Sequence, residues 1–212
     1  MGIDRKLPIA GAFGFLIAAC ASAHAVDTHV QSLIDKTRNT RATYALYSWN
    51  VITKPGEKEI QEWSAEFHQE TKHRVETPRD RLIADCATME GTYLEVATKE
   101  IIRGPQVARA ACGIQANSKI ESARILGDLR TRFGLAQQIE IVDPEYIRTY
   151  DISSEGILFG ATISDKGDHR NVLVRGHAVA VEKTLPARDI FSEESLNQTF
   201  VHEKYRTESL AQ

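Results

Sequence analysis

Apolar and polar residues alternate most sharply between Lys58 and Glu76. Trp63, Ala65, Phe67 and Val75 fall on one parity, and Glu62, Glu66, His68, Glu70, Lys72, Arg74 and Glu76 on the other. A period of two with one apolar and one polar side predicts antiparallel sheet covered on one face and solvated on the other. The segment before it, Ala42–Thr53, is apolar on both parities: Tyr44, Leu46 and Ile52 point one way, Tyr47, Trp49 and Val51 the other. Such a strand needs apolar surroundings on both sides, or a place at the curved centre of a sheet. Lys54-Pro55-Gly56-Glu57 separates the two segments. Proline fixes the first turn position and glycine supplies positive φ at the second, a type II turn signal compatible with a hairpin.

The remaining pattern extends this sheet. Val26–Asn39 reads as a short amphipathic helix, with Val30, Leu33 and Ile34 on one face and Asp27 or Thr28 as N-cap. Strands are predicted at Arg81–Asp85 and Thr92–Ile102, then loop and short strand over residues 103–116. Ser118-Lys-Ile-Glu121 has the form of a capping box. It predicts a second helix with Ile120, Ala123, Leu126, Leu129 and Phe133 as its stripe, stopped by Gly134. Strands follow at Gln138–Val142, Tyr146–Ile152, Ile157–Ser164 and Val172–Lys183, and beyond Pro186 a helical turn near Ser192 and a closing strand at Thr199–Tyr205. The sum is an α+β fold: a long curved antiparallel sheet, an open half barrel, with a few helices covering its concave face. A concave apolar interior suits a hydrophobic ligand. The candidate ligand-binding residues are Tyr44, Leu46, Trp49, Trp63, Phe67, Tyr93 and Leu94. The same side chains would equally fill a packed core.

The first 25 residues add a compartment. Arg5 and Lys6 precede an apolar stretch from Leu7 to Ala19, and Ala23-His24-Ala25 ends the segment. Charged start, short apolar run and A-x-A site have the layout of a secretory signal. Cleavage after Ala25 gives a periplasmic or secreted single domain over residues 26–212. Ile17-Ala18-Ala19-Cys20 also fits the bacterial lipoprotein pattern, in which lipidation at Cys20 would make a membrane tether. Both readings stand at this point. With the leader removed after Ala25, Cys86 and Cys112 are the cysteines left. In an oxidising compartment they are the natural disulfide pair, and a loop of that length is worth roughly 3 kcal/mol on the chain-entropy estimate.

Composition narrows the function classes. A formal charge of −3 lacks the basic excess of a general nucleic-acid binder. There is no G-x-S-x-G elbow, phosphate-binding glycine loop or H-E-x-x-H sequence. Glu66, His68 and Glu70 share a parity and could in principle hold a metal, but a solvated sheet face accounts for them. Asp143 and Glu145 flank Pro144 at a turn, where turn-favouring composition explains paired carboxylates as well as acid–base chemistry does. His177 in an otherwise apolar strand reads as a structural histidine. The expectation is a protein without catalytic residues, metal or cofactor.

Residues 60–96, IQEWSAEFHQETKHRVETPRDRLIADCATMEGTYLEV, resemble the family of periplasmic outer-membrane lipoprotein carriers. Trp63, Arg74-Val75, the Pro78 bend, Leu82-Ile83, Asp85 and Tyr93 occupy places comparable to that family's aromatic segment, Arg-hydrophobic pair, proline bend, hydrophobic strand, turn and aromatic strand. Cys86 stands where the family's turn glycine follows the aspartate, and CATMEG lengthens the turn. The resemblance implies a curved sheet and helical lid enclosing an apolar cavity for acyl chains. The expected function is therefore an exported, non-enzymatic protein binding an acyl chain, lipid or other hydrophobic small molecule. The alternative is a structural or scaffolding envelope protein, with a packed core, acting through its surface.

Overall fold

A computed structural model describes residues 26–54, 56–114 and 120–207. The leader with Cys20 and Ala25, together with Pro55 and Ser118, lies outside the described residues. Helix α1 (Thr28–Arg38) starts where expected: Asp27 accepts a hydrogen bond from the His29 amide, and Val30, Leu33 and Ile34 are buried. Strands β1 (Tyr44–Ile52), β2 (Ile60–Gln69), β3 (Lys72–Glu76), β4 (Asp80–Asp85), β5 (Glu90–Glu95) and β6 (Ile101–Arg103) form an antiparallel meander. Helix α2 (Pro105–Ala111) follows, then β7 (Ser122–Thr131), β8 (Gly134–Val142), β9 (Tyr146–Ser153), β10 (Leu158–Asp165) and β11 (Val172–Glu182).

All these strands belong to one 11-stranded sheet in the order β6-β5-β4-β3-β2-β1-β11-β10-β9-β8-β7. The pairing of β1 with β11 joins the two meanders, so β1 lies at the centre with neighbours on both sides. That position explains its apolar residues on both parities. Register shifts at Tyr47/Ser48, Ile125/Gly127 and Leu158/Gly160 interrupt the ladder, and such bulges bend and coil a sheet. Strands β6 and β7 remain the two free edges, and the architecture is the expected open half barrel.

Both helices pack on one face, termed inner. Beneath α1, Val30, Leu33 and Ile34 meet Ile139, Ile141 and Ile152. Beneath α2, Ala108, Ala111 and Cys112 meet Ala84, with Val75, Leu82 and Met89 alongside. Gly91 permits this approach, since a Cβ there would lie 2.6 Å from the Ala108 amide nitrogen. The helices meet where Thr37 Oγ1 accepts from the Ile114 amide and Arg38 Nε donates to the Ile114 carbonyl. The Cys86–Cys112 disulfide ties the β4–β5 turn to the end of α2. On the opposite, outer face the chain after β11 runs as an irregular strap over β1–β3. It packs Ile190 and Val201 against Ala45, Tyr47, Trp49, Trp63, Ala65 and Phe67.

Four expectations change. First, the alternation through residue 76 is not one continuous face. A two-residue turn at Glu70 (φ 57°) and Thr71 reverses the chain, so Arg74 pairs with Phe67 and Glu76 with Ala65. The tight hairpin swaps parity, placing Arg74 and Glu76 among the apolar outer-face residues. Second, within the span predicted as a helix from Ser118 to Phe133, Ser122–Thr131 forms strand β7 of the β7–β8 hairpin, with Ala123 opposite Ile141 and Ile125 opposite Ile139. Ile120, Ala123 and Leu126 fit helical spacing, but pairing with an apolar partner strand outweighs that local preference. Third, the loop at residues 103–116 contains α2, whose signal is Pro105 just after Gly104. Fourth, a 3₁₀ turn forms at Glu194–Asn197, but Thr199–Tyr205 is no strand and ends in a second 3₁₀ turn at Glu203–Tyr205.

Candidate ligand-binding site

The sheet separates the seven candidate lining residues. Tyr44 and Leu46 lie on the inner face, in a cluster with Ala136, Ile157, Phe159 and Ala178. Tyr93, opposite Leu82, is also inner, and its hydroxyl donates to Asp80 Oδ1 at 2.6 Å. Trp49, Trp63 and Phe67 lie on the outer face beneath the strap, as does Leu94, which pairs with Arg81. Residues on opposite sides of a sheet cannot line one cavity. Only Tyr44, Leu46 and Tyr93 share the face that carries the helices.

Polar groups adjoin the apolar patch on that face. The Tyr44 ring stacks on His68 at 5.2 Å, and His68 meets His73 edge-on at 5.3 Å. His68 Nδ1 is 2.7 Å from the Ala42 carbonyl oxygen. His73 Nε2 faces Glu66 Oε2 at 3.4 Å without a well-formed hydrogen bond. Burial, reinforced by His73, pushes the His68 pKa down to about 4, so this ring is neutral at physiological pH. Burial also raises the Tyr44 pKa well above that of a free phenol, with Glu66 contributing. Tyr44 and His68 are therefore a neutral, stacked aromatic pair, buried beside the inner-face apolar residues.

Next to it, the C-terminal ends of α1 and α2 frame an open cleft of about 360 Å³. Arg38, Arg109, Met89 and the disulfide line it, with Asp35 and Asn39. At the other end of the inner face the β7–β8 hairpin curls back. Phe133 sits 5.5 Å from Phe159, and Arg132 Nη2 donates to the carbonyls of Ala178 and Val179.

The outer face holds the least expected cluster. Arg74 and Glu76 are both 0 % exposed. Arg74 Nε donates to Glu76 Oε1 at 2.7 Å, Nη1 to the Ile190 carbonyl and Ser195 Oγ, and Nη2 to the carbonyls of Ser195 and Gln198. All five guanidinium N–H groups are thus used. Glu76 in turn accepts from Thr199 Oγ1 at 2.7 Å and from the Phe200 amide, and Arg81 Nε lies 3.5 Å away. The cluster locks the strap to the sheet. Sequence reasoning missed it because the parity swap at Glu70 was not visible in the alternation.

The other polar candidates lie apart. His177 is exposed on the outer face, opposite Trp49. Asp143 accepts from the amides of Glu145 and Tyr146 and pairs with Arg148 Nη2 at 2.8 Å, so it organises the β8–β9 turn. Glu70 lies in the β2–β3 turn, away from Glu66 and His68. Among the described residues no group of three His, Cys, Asp or Glu side chains has metal-binding geometry. Among them, too, no helix is long and apolar enough to cross a membrane.

An open antiparallel half barrel with helices on its inner face is the class of fold this chain defines. A conserved protein of Thermus thermophilus has a similar fold, with TM-score 0.52, 14 % identity, and 81 % of this chain and 94 % of that one covered. A LolA superfamily protein of Nitrosomonas europaea aligns at TM-score 0.43 and 8 % identity over 79 % of this chain and 99 % of that one. A putative outer membrane lipoprotein-sorting protein domain of Vibrio parahaemolyticus aligns at TM-score 0.43 and 7 % identity, covering 80 % and 97 %. No protein-family model and no curated protein matches the chain.

Proposed function

We propose that this is an exported, non-enzymatic binding protein that holds an acyl chain or another hydrophobic ligand between the inner face of its half barrel and the elements covering it. The observation carrying this reading is the division of that face. Its buried apolar residues form three separate clusters, each beneath its own cover: α1, α2 and the tip of the β7–β8 hairpin. Covers that do not share one continuous core can part from the sheet one at a time and admit a chain between them. Tyr44, Leu46 and Tyr93 are the ligand-facing residues on this reading, with Tyr44 beside the neutral His68. Export follows from the layout of the first 25 residues, and the Cys86–Cys112 disulfide agrees with an oxidising compartment. Residues 26–212 act as one domain, released after Ala25 or tethered through Cys20.

Organic extraction of the purified protein followed by mass spectrometry tests the reading, together with titration of an apolar fluorescent probe. Co-purified lipid and saturable probe binding are expected. An extract without lipid, combined with absent probe binding, replaces this reading with a packed envelope protein acting through its surface. Intact mass with and without Cys20→Ala distinguishes the tethered form from the released one.

A further inference from the structure

We infer that the hydrophobic ligand carries a protonated primary amine, held between Glu66 and His73 where two of the inner-face clusters meet. This headgroup preference rests on the binding function proposed above and specifies its ligand class. Glu66 stands opposite Leu46 on β1 and Val75 on β3. Leu46 belongs to the apolar cluster under the hairpin tip, and Val75 packs with the cluster under α2. A chain lying along the inner face from one cluster to the other therefore passes the Glu66 carboxylate. Leu82 and Tyr93 continue the row across β4 and β5, so an alkyl chain attached to the amine has apolar side chains to lie on. The Glu66 side chain is 28 % exposed and that of His73 7 %, so the pair is reached from the Glu66 side.

Two observations point to a cationic donor. Glu66 makes no ion pair with a lysine or arginine among the described residues, and Arg41, the cation that acts on neighbouring His68, is exposed. A part-buried carboxylate in an apolar row gains from a counter-charge. Independently, His73 Nε2 is buried with no hydrogen-bond partner among the described residues, and it faces Glu66 Oε2 at 3.4 Å. Buried polar atoms are nearly always paired, so an orphan aimed at a carboxylate marks a place where a ligand group would be hydrogen-bonded. With its proton on Nδ1, the imidazole offers Nε2 as an acceptor. Two acceptors 3.4 Å apart suit one ammonium nitrogen, which can donate to both at about 2.8 Å. A hydroxyl can donate to only one of them, a quaternary ammonium to neither, and a carboxylate is repelled.

The test is displacement of an apolar fluorescent probe at neutral pH by dodecylammonium, dodecyltrimethylammonium, dodecanol and dodecanoate, each below its micelle concentration. Dodecylammonium should bind about tenfold more tightly than dodecanol or the quaternary amine, with dodecanoate weakest. Glu66→Gln should bring the ratio of dodecylammonium to dodecanol affinity to about one, because it removes the charge and keeps the volume. Each ratio is taken within one protein preparation, so partial unfolding of the variant does not mimic this loss. The comparison of the two amines needs no variant at all. Equal affinities of dodecylammonium and dodecanol for the parent chain overturn the inference. An advantage of dodecylammonium that survives Glu66→Gln, or that the quaternary amine shares, overturns it as well, by assigning the preference to the chain's net negative charge. If no amphiphile binds, the proposed function falls and this headgroup with it, whereas binding without preference for the primary amine removes the headgroup alone.

Discussion

The two faces of the sheet are secured in opposite ways. Outside, one irregular strap is fixed by a fully buried ion pair whose hydrogen bonds are all made, over one continuous aromatic cluster. Inside, two regular helices and a hairpin tip cover three separate apolar clusters, and a disulfide holds the shorter helix. On the binding function proposed above, regular secondary structure covers the face that opens to a ligand, and coil covers the face that stays closed. What distinguishes them is buried polar chemistry. A guanidinium that loses its partners in an apolar layer costs several kcal/mol, so the strap is bound all-or-none. Apolar contacts under the helices can be exchanged for contacts with another apolar body at little cost.

The largest expected effect comes from breaking the outer lock. Arg74→Ala should lower unfolding free energy by about 3–5 kcal/mol, because it takes the nearest ion-pair partner from buried Glu76 and the guanidinium donors from three carbonyls of the strap. Urea denaturation measures the loss, and proteolysis should begin within residues 185–207. The double replacement Arg74→Met with Glu76→Leu should recover much of it, since an apolar pair of similar volume leaves no buried charge. On the inner face, Cys86→Ser with Cys112→Ser should cost about 3 kcal/mol, with α2 exchanging its amide protons sooner than the strap does. Hydrogen exchange followed by mass spectrometry separates these regions.

Acid should act on the inner face too. An unfolded histidine titrates near 6.5 and folded His68 at about 4. Below pH 6.5 the unfolded chain therefore binds a proton that the folded chain refuses. Stability is complete above that value and falls as pH drops toward 4. Urea midpoints measured across this window should show a slope that His68→Phe flattens. The smallest effect is expected on the outer face of β7–β8, beyond the strap. The exposed pair Arg124–Glu140, at 2.8 Å, should contribute about 0.5 kcal/mol or less when tested by Arg124→Ala.

Much of the sheet was legible because its strands carry their own pattern. The two-sided apolarity of Ala42–Thr53 located the centre, Gly56 at φ 77° supplies the turn, and β9 to β11 fall within two residues of their expected bounds. Errors arose where a short-range signal had two readings. Ile120, Ala123 and Leu126 satisfy a helical stripe, and only the partner strand β8 decides for β-structure. Glu70 and Thr71 reverse the chain without glycine or proline, so nothing local announced that Arg74 would enter the core. For the site, the aromatic candidates were found but not their division between faces. That division depends on the parity of a hairpin and on a strap contributed from 116 to 124 residues further along the chain.

That distance has a consequence for synthesis. A polypeptide emerges N-terminus first, and Arg74 appears long before Ile190, Ser195 and Gln198, which complete its hydrogen bonds. Until they arrive, β1–β3 can pair but must keep a charge in water beside Trp63 and Phe67. A chain cut short before Ile190 would never close this layer. The guanidinium thus stays unsatisfied until the chain has been made through Gln198, and no shorter product can hide it.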